Sequence, residues 1–147
     1  MVLRERRGVD MLTMRQRVAA YIIALVAFGV LDAAIIFSFG ARSYKTTLGD
    51  VLAEQPHIWP VLVFYPLFIF GLCHFAVFPA LRARNRTVAA SNGAIYGLCT
   101  YGTYALTCYA AIRNWSLQLA LTDICGGTLI GAAVALFAYL GAARIRV

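Results

Sequence analysis

Two carboxylates lie inside apolar sequence. Asp32 falls late in a hydrophobic run that begins near residue 18, and Asp123 falls early in another that begins near residue 117. A carboxylate left facing lipid near mid-membrane costs at least ~2.5–3.5 kcal/mol on insertion scales, so it turns toward protein, where it can exchange a proton or hold a cation. At a helical rise of about 1.5 Å per residue, Asp32 stands roughly 20 Å above the start of its helix and Asp123 roughly 10 Å below the start of its own. In an up-and-down arrangement both occupy one layer in the outer half. Tyr65, Tyr104 and Thr107 reach that layer from the two runs between, and Tyr101 shares a helical stripe with Tyr104. Asp32 and Asp123 are therefore the candidate acid/base or cation site, with Tyr65, Tyr101, Tyr104 and Thr107 as candidate substrate-binding groups. The alternative role is structural, each carboxyl being bonded to Tyr or Thr hydroxyls that hold the helices in register. Intramembrane hydrogen bonds average only ~0.6 kcal/mol, which makes register alone a weak reason to keep a carboxylate there.

These groups need elements to carry them. Apolar runs over approximately 18–39, 58–79, 88–112 and 117–141 each supply the ~20 residues a hydrocarbon core requires, and 62% of the 147-residue chain is hydrophobic. Backbone groups in lipid must bond within their own segment, which for runs of this length means helices. The expected fold is an all-α integral membrane protein, one domain over 1–147, built as a bundle of four transmembrane helices. Residues 1–12 form a loose basic tail. Between the first two runs, Tyr44, Leu48, Val51 and Leu52 recur at the spacing of one helical face, predicting a short amphipathic helix within 41–56 at the outer interface. On helix four, Asp123, Gly127 and Gly131 repeat every four residues, a small-residue packing surface that turns Asp123 toward a neighbour. Gly93 and Gly97 begin a similar stripe on helix three. Trp59 and Trp115 are expected at the headgroup level of the outer boundary.

Charge sets the orientation. Ten of the thirteen basic residues precede helix one (Arg4, Arg6, Arg7, Arg15, Arg17), fill the loop between helices two and three (Arg82, Arg84, Arg86) or end the chain (Arg144, Arg146). The opposite side has Arg42, Lys45 and Arg113. Positive charge marks the cytoplasmic side, so both termini are expected there. The first helix is too long for a secretory leader, lacks a clean small-x-small cleavage site and carries Asp32, so it is read as uncleaved. The net charge of +7 does not indicate nucleic acid, because the arginines flank helices rather than forming a patch with aromatics; membrane lipids are the expected partners.

Other chemistry finds little support. Cys73, Cys99, Cys108 and Cys125 lie in apolar helices with no C-x-x-C and no histidine pair at metal spacing. No phosphate loop or nucleophile-elbow motif occurs, so neither metal nor cofactor is expected. His74 lies nine residues after Tyr65, on the opposite helical face, and is read as a local hydrogen-bonding group near Ser91 and Asn92.

The runs Leu48-Gly49-Asp50-Val51-Leu52-Ala53-Glu54, Phe64-Tyr65 and Phe75-Ala76-Val77-Phe78-Pro79-Ala80-Leu81 resemble a bacterial membrane-protein family catalogued as domain of unknown function 2177. Leu31-Asp32, Tyr96-Gly97, the stretch Tyr101-Gly102-Thr103-Tyr104-Ala105-Leu106-Thr107, Trp115, and Asp123 with Gly127 extend the resemblance over most of 18–141. It implies a compact protein of the bacterial cytoplasmic (inner) membrane, in association with lipid-modifying enzymes, and no established activity. The family pattern often has Asp where this chain has Ala105, Asn where it has Cys108, and Trp near Ile35 and at Gly126. These departures leave Asp32 and Asp123 as the remaining candidates.

Three functions are compatible with these residues. One is a polar site for a lipid or apolar small molecule, with lipid modification as its extension. Another is a small proton- or cation-coupled transporter, whose path would continue to His74 and Asn92 and would need a homodimer. The last is a non-catalytic accessory subunit of a membrane enzyme. The orientation is directly testable: green fluorescent protein fused after Val147 should fluoresce and alkaline phosphatase fused there should stay inactive, and the reverse pattern would place the C-terminus outside.

Overall fold

In a computed structural model the described residues are 12–49 and 57–145, without the side chains of 39–43. Among them no strand occurs. Helix α1 (Met14–Ile35) opens with a reciprocal cap. The Thr13 hydroxyl accepts from the Gln16 N–H (3.3 Å), and the Gln16 carboxamide oxygen accepts from the Thr13 N–H (3.2 Å), satisfying backbone donors that a helix start leaves unpaired. A π turn (Ile36–Gly40) carries the chain into α2 (Ala41–Leu48). The expected loop-borne helix is thus a continuation of helix one. No proline interrupts this stretch, and the path ends where Gly49 adopts φ +47°, a left-handed conformation open to glycine. Leu48 is buried and Tyr44 half-buried, so that expected face does turn inward, while Asp50, Val51, Leu52 and Glu54 lie outside the described residues, as do 1–11, 146 and 147.

The second run is also one path: α3 (Trp59–Leu72), a π turn (Cys73–Val77) and α4 (Phe78–Ala83). Pro79 has no N–H, so the Phe75 carbonyl four residues earlier loses its helical donor. Asn92 Nδ2 donates to that carbonyl instead, at 3.2 Å. Arg84 ends α4 in a left-handed conformation (φ 50°), and Asn85 caps the next helix by accepting from the Thr87 N–H at 2.8 Å. Helix α5 (Arg86–Ala111) and helix α6 (Leu117–Ala143) follow, the latter capped by Ser116, whose hydroxyl accepts from Leu119 N–H at 3.1 Å.

Neighbouring helical paths run antiparallel. The Gln16 carboxamide donates to the Ile145 carbonyl (3.2 Å), and the Arg17 guanidinium lies 5.9 Å from the Phe78 ring centre. The start of α1 therefore meets the start of α4 and the residues just past α6 at one end of the molecule. Helices α5 and α6 make the closest contact. A Cβ at Gly97 would overlap the Gly127 carbonyl, and one at Gly93 or Gly131 would overlap the carbonyl of the other. Bare backbones meet here, as small-residue stripes allow.

The surface is that of a protein in lipid. Met14, Val18, Ile22, Val26 and Val30 form an exposed apolar stripe along α1, whereas the small Ala20 and Ala24 are fully buried. Without water to drive large side chains inward, close approach of small residues takes over. Among the described residues three segments are long and apolar enough to cross a membrane: Met14–Ser38, Trp59–Ala83 and Leu117–Ala143. Helix α5 has the length but is enriched in polar and small residues, including Ser91, Asn92, Thr100, Thr103, Thr107 and the three glycines Gly93, Gly97 and Gly102.

The glycine contact predicts a sharp asymmetry. Gly97→Ala should lower stability by about 1–3 kcal/mol through overpacking against backbone. Gly29→Ala, where a Cβ meets open space, should be neutral or stabilising by up to about 1 kcal/mol. Thermal unfolding of both variants in detergent would check this, and equal behaviour would contradict the packing.

Candidate functional site

Asp32 stands one turn beyond Phe28, the largest wholly buried side chain of α1. Phe28 packs edge-on against Tyr65 (centroids 4.9 Å apart, 85°) and tilted against Phe68 (4.7 Å). This packing fixes the ring of Tyr65, whose hydroxyl donates to Asp32 Oδ2 at 2.5 Å.

Asp123 has a tyrosine of its own. Tyr44, on α2 beyond the first span, donates its hydroxyl to Asp123 Oδ2 at 2.7 Å. Its ring stands edge-on to Trp115 (5.6 Å, 89°), and Tyr104 stands edge-on to Trp115 from α5 (5.7 Å, 87°). Trp115 is 6% exposed and packs with Leu48, Ala105, Leu119 and Ala120, so it is a core ring and not the headgroup-level ring expected. Its indole N–H is buried and, among the described residues, has no hydrogen-bond partner. Burial pushes the Tyr44 phenol above the usual tyrosine range, and the bond to Asp123 pushes it further. Tyr44 therefore remains a neutral donor at physiological pH.

Tyr101 lies between the two pairs. Its ring covers Gly127, where a Cβ would overlap it, and meets Phe68 edge-on at 6.0 Å. From there it is within electrostatic reach of Asp32, Tyr65 and Asp123. Tyr101 also lines a cleft of about 310 Å³ with Phe64, Thr100 and Tyr104. Phe64 and Tyr104 are exposed on the outer surface, so the cleft borders the region that lipid occupies. A smaller hollow of about 110 Å³ is lined by Thr46, Thr47, Ser116, Gln118, Leu119 and Thr122, next to Asp123 along α6.

Tyr65 and Tyr101 are thus near Asp32, and Tyr44 and Tyr104 are near Asp123. Thr107 is exposed and makes none of these contacts. Sequence reasoning missed Tyr44 as the partner of Asp123, and missed Phe64 and Thr100 as cleft residues. The signal for Tyr44 was its place with Leu48 on one helical face. For Phe64 and Thr100 there was none, because apolar and hydroxyl residues occur throughout these helices. His74 is exposed, stacked on Phe70, and among the described residues has no hydrogen-bond partner. Its expected role as a local hydrogen-bonding group is not what the structure shows, since Asn92 is engaged by the Phe75 carbonyl. Among the described residues no three His, Cys, Asp or Glu side chains converge as metal ligands, and the four cysteines are free.

Three apolar spans and an outward-facing apolar surface define a multi-pass membrane protein. The family described as predicted membrane protein, domain of unknown function 2177, matches residues 17–140, and the chain belongs to that family. No curated protein and no solved structure matches it.

The Tyr44–Asp123 pair has a pH signature. A phenol whose folded pKa is raised contributes stability that is complete below its ordinary value of 10.0 and is lost as pH climbs above it toward the folded value. Tyr44→Phe should cost about 1–2 kcal/mol at pH 7 through the lost hydrogen bond and the Asp123 oxygen left without its donor. The variant should then lose less stability than the wild type on titration from pH 9 to roughly pH 12. Parallel stability–pH curves would show that Tyr44 is not the buried donor described.

Proposed function

We propose that α5 crosses the membrane with the three apolar spans, completing a four-helix bundle. We propose further that the cleft beside Tyr101 binds an apolar small molecule or one chain of a lipid. The observation carrying this reading is a single residue, Tyr101, that both lines an apolar cleft and stands between two carboxylate–tyrosine pairs. Pockets for small ligands run from about 300 Å³ upward. At about 310 Å³ this cleft suits a compact apolar molecule or a segment of one chain, not a whole phospholipid. Its aromatic wall takes the apolar body, while Asp32 and Asp123 with their tyrosines are positioned to receive a hydroxyl or amine on it. Entry is sideways from the bilayer, past Phe64 and Tyr104.

A transport path has less support. Between the site and the end of the bundle near Arg17 lie Phe28, Ile69, Leu72, Val77 and Val134, all fully buried and apolar. His74, the next polar group such a path would use, is on the outer surface.

The test is retention of lipid-derived molecules by protein purified in mild detergent and read by native mass spectrometry. Thr100→Phe, which fills the cleft, should lower retention at least about tenfold, the effect of losing ~1.4 kcal/mol. Asp32→Asn and Asp123→Asn should keep the helical fold and change which molecules are retained. An unchanged lipid profile in all three variants would refute the binding reading, and loss of folding in both Asn variants would assign the aspartates a structural role.

A further inference from the structure

His74 takes no part in the site described above, yet it occupies an unusual place. It lies in the Trp59–Ala83 segment, nine residues from one end and fifteen from the other, or about 13 Å and 22 Å along the axis. Both distances exceed what an imidazole can span, so it cannot reach either headgroup region. Ionisable side chains at such depth almost always face the bundle interior and pair there. This one is turned outward without a hydrogen-bond partner among the described residues.

The surroundings of the ring are ordered. His74 stacks on Phe70 (6.2 Å, 18°) and meets Phe75 edge-on (5.0 Å, 82°). Phe75 is held in turn by its stack with Tyr96 (6.2 Å, 24°) and by the bond from Asn92 to its carbonyl. With Val63 and Leu67, which are also exposed, these residues make an apolar face with one polar group framed by fixed aromatic rings. The π turn at Cys73–Val77 presents that group, and such turns concentrate at functional positions.

We propose that two copies of the chain associate in the membrane through this face, His74 of one bonding His74 of the other. A neutral imidazole has one N–H donor and one bare nitrogen acceptor. A twofold interface places the same residue opposite itself, so two such rings supply both halves of an N–H···N bond with no added charge. Acyl chains offer neither half. The flanking Phe70, Phe75 and Leu67 then bury one another around the bond, excluding lipid from it. Helix association of this kind needs only packing and a polar contact.

The experiment reconstitutes the fluorescently labelled full-length chain into phosphatidylethanolamine/phosphatidylglycerol vesicles and counts subunits by single-molecule photobleaching over a range of protein-to-lipid ratios. The wild type should pass from monomer to dimer as density rises. His74→Leu should shift that midpoint about three- to twentyfold toward higher density, the range of intramembrane hydrogen bonds. Leu67→Trp, which adds bulk to the same exposed face, should shift it as well, and Asp123→Asn should not. A wild type that stays monomeric at every density would overturn the proposal, as would a His74→Leu midpoint equal to the wild type's. If His74→Leu fails to fold by circular dichroism, Leu67→Trp decides, and an unshifted midpoint there overturns it equally.

Discussion

The contact of α5 with α6 is the constraint on which the site depends. Gly93 and Gly97 meet Gly131 and Gly127 with backbone against backbone, an approach that any side chain would hold apart. Because Gly127 lacks a Cβ, the Tyr101 ring can lie across α6 one turn from Asp123. That position brings its hydroxyl into the field of both carboxylates. A methyl group at Gly127 would have to displace an aromatic ring that also packs on Phe68, so helix packing and site geometry share the same atoms.

Opposite this contact, large aromatics fill the gap that the glycines leave elsewhere. Phe28, Phe64, Tyr65, Phe68 and Tyr96 form a linked set of edge-on and tilted ring pairs joining α1, α3 and α5. Dispersion among such rings is favourable even where the surroundings are already apolar. Three polar groups then tie the second path to its neighbours through its own backbone: Tyr21 donates to the Pro66 carbonyl, Tyr96 to that of Phe68 and Asn92 to that of Phe75. Proline-bearing segments need such external donors in lipid, where no water is present to supply them.

Much of this was legible in the residues. The four apolar runs became the four long helical paths, because segment length and backbone self-satisfaction leave no other choice. The spacing of Asp123, Gly127 and Gly131 correctly marked a packing surface, since a four-residue repeat fixes one helical face whatever that face meets. The break expected after residue 39 was wrong for a local reason: nothing between there and Gly49 stops a helix. Trp115 was misplaced because its position near the end of an apolar run matches an interfacial ring, and only the approach of Tyr44 and Tyr104 from other helices buries it.

The sequence by itself determined the class of protein, the helices and the family, since each follows from local composition and pattern. Only the tertiary structure decided the partners: Tyr65 for Asp32, Tyr44 for Asp123, Tyr101 between them and, among the described residues, no hydrogen-bond partner for His74. Those pairings depend on how far each helix is rotated and slid against its neighbours. In this protein the rotation is set by where glycines let backbones touch and where aromatic rings interlock, and the pairing of Tyr44 with Asp123 that results joins residues 79 positions apart. A single helix's periodicity has no information about that distance.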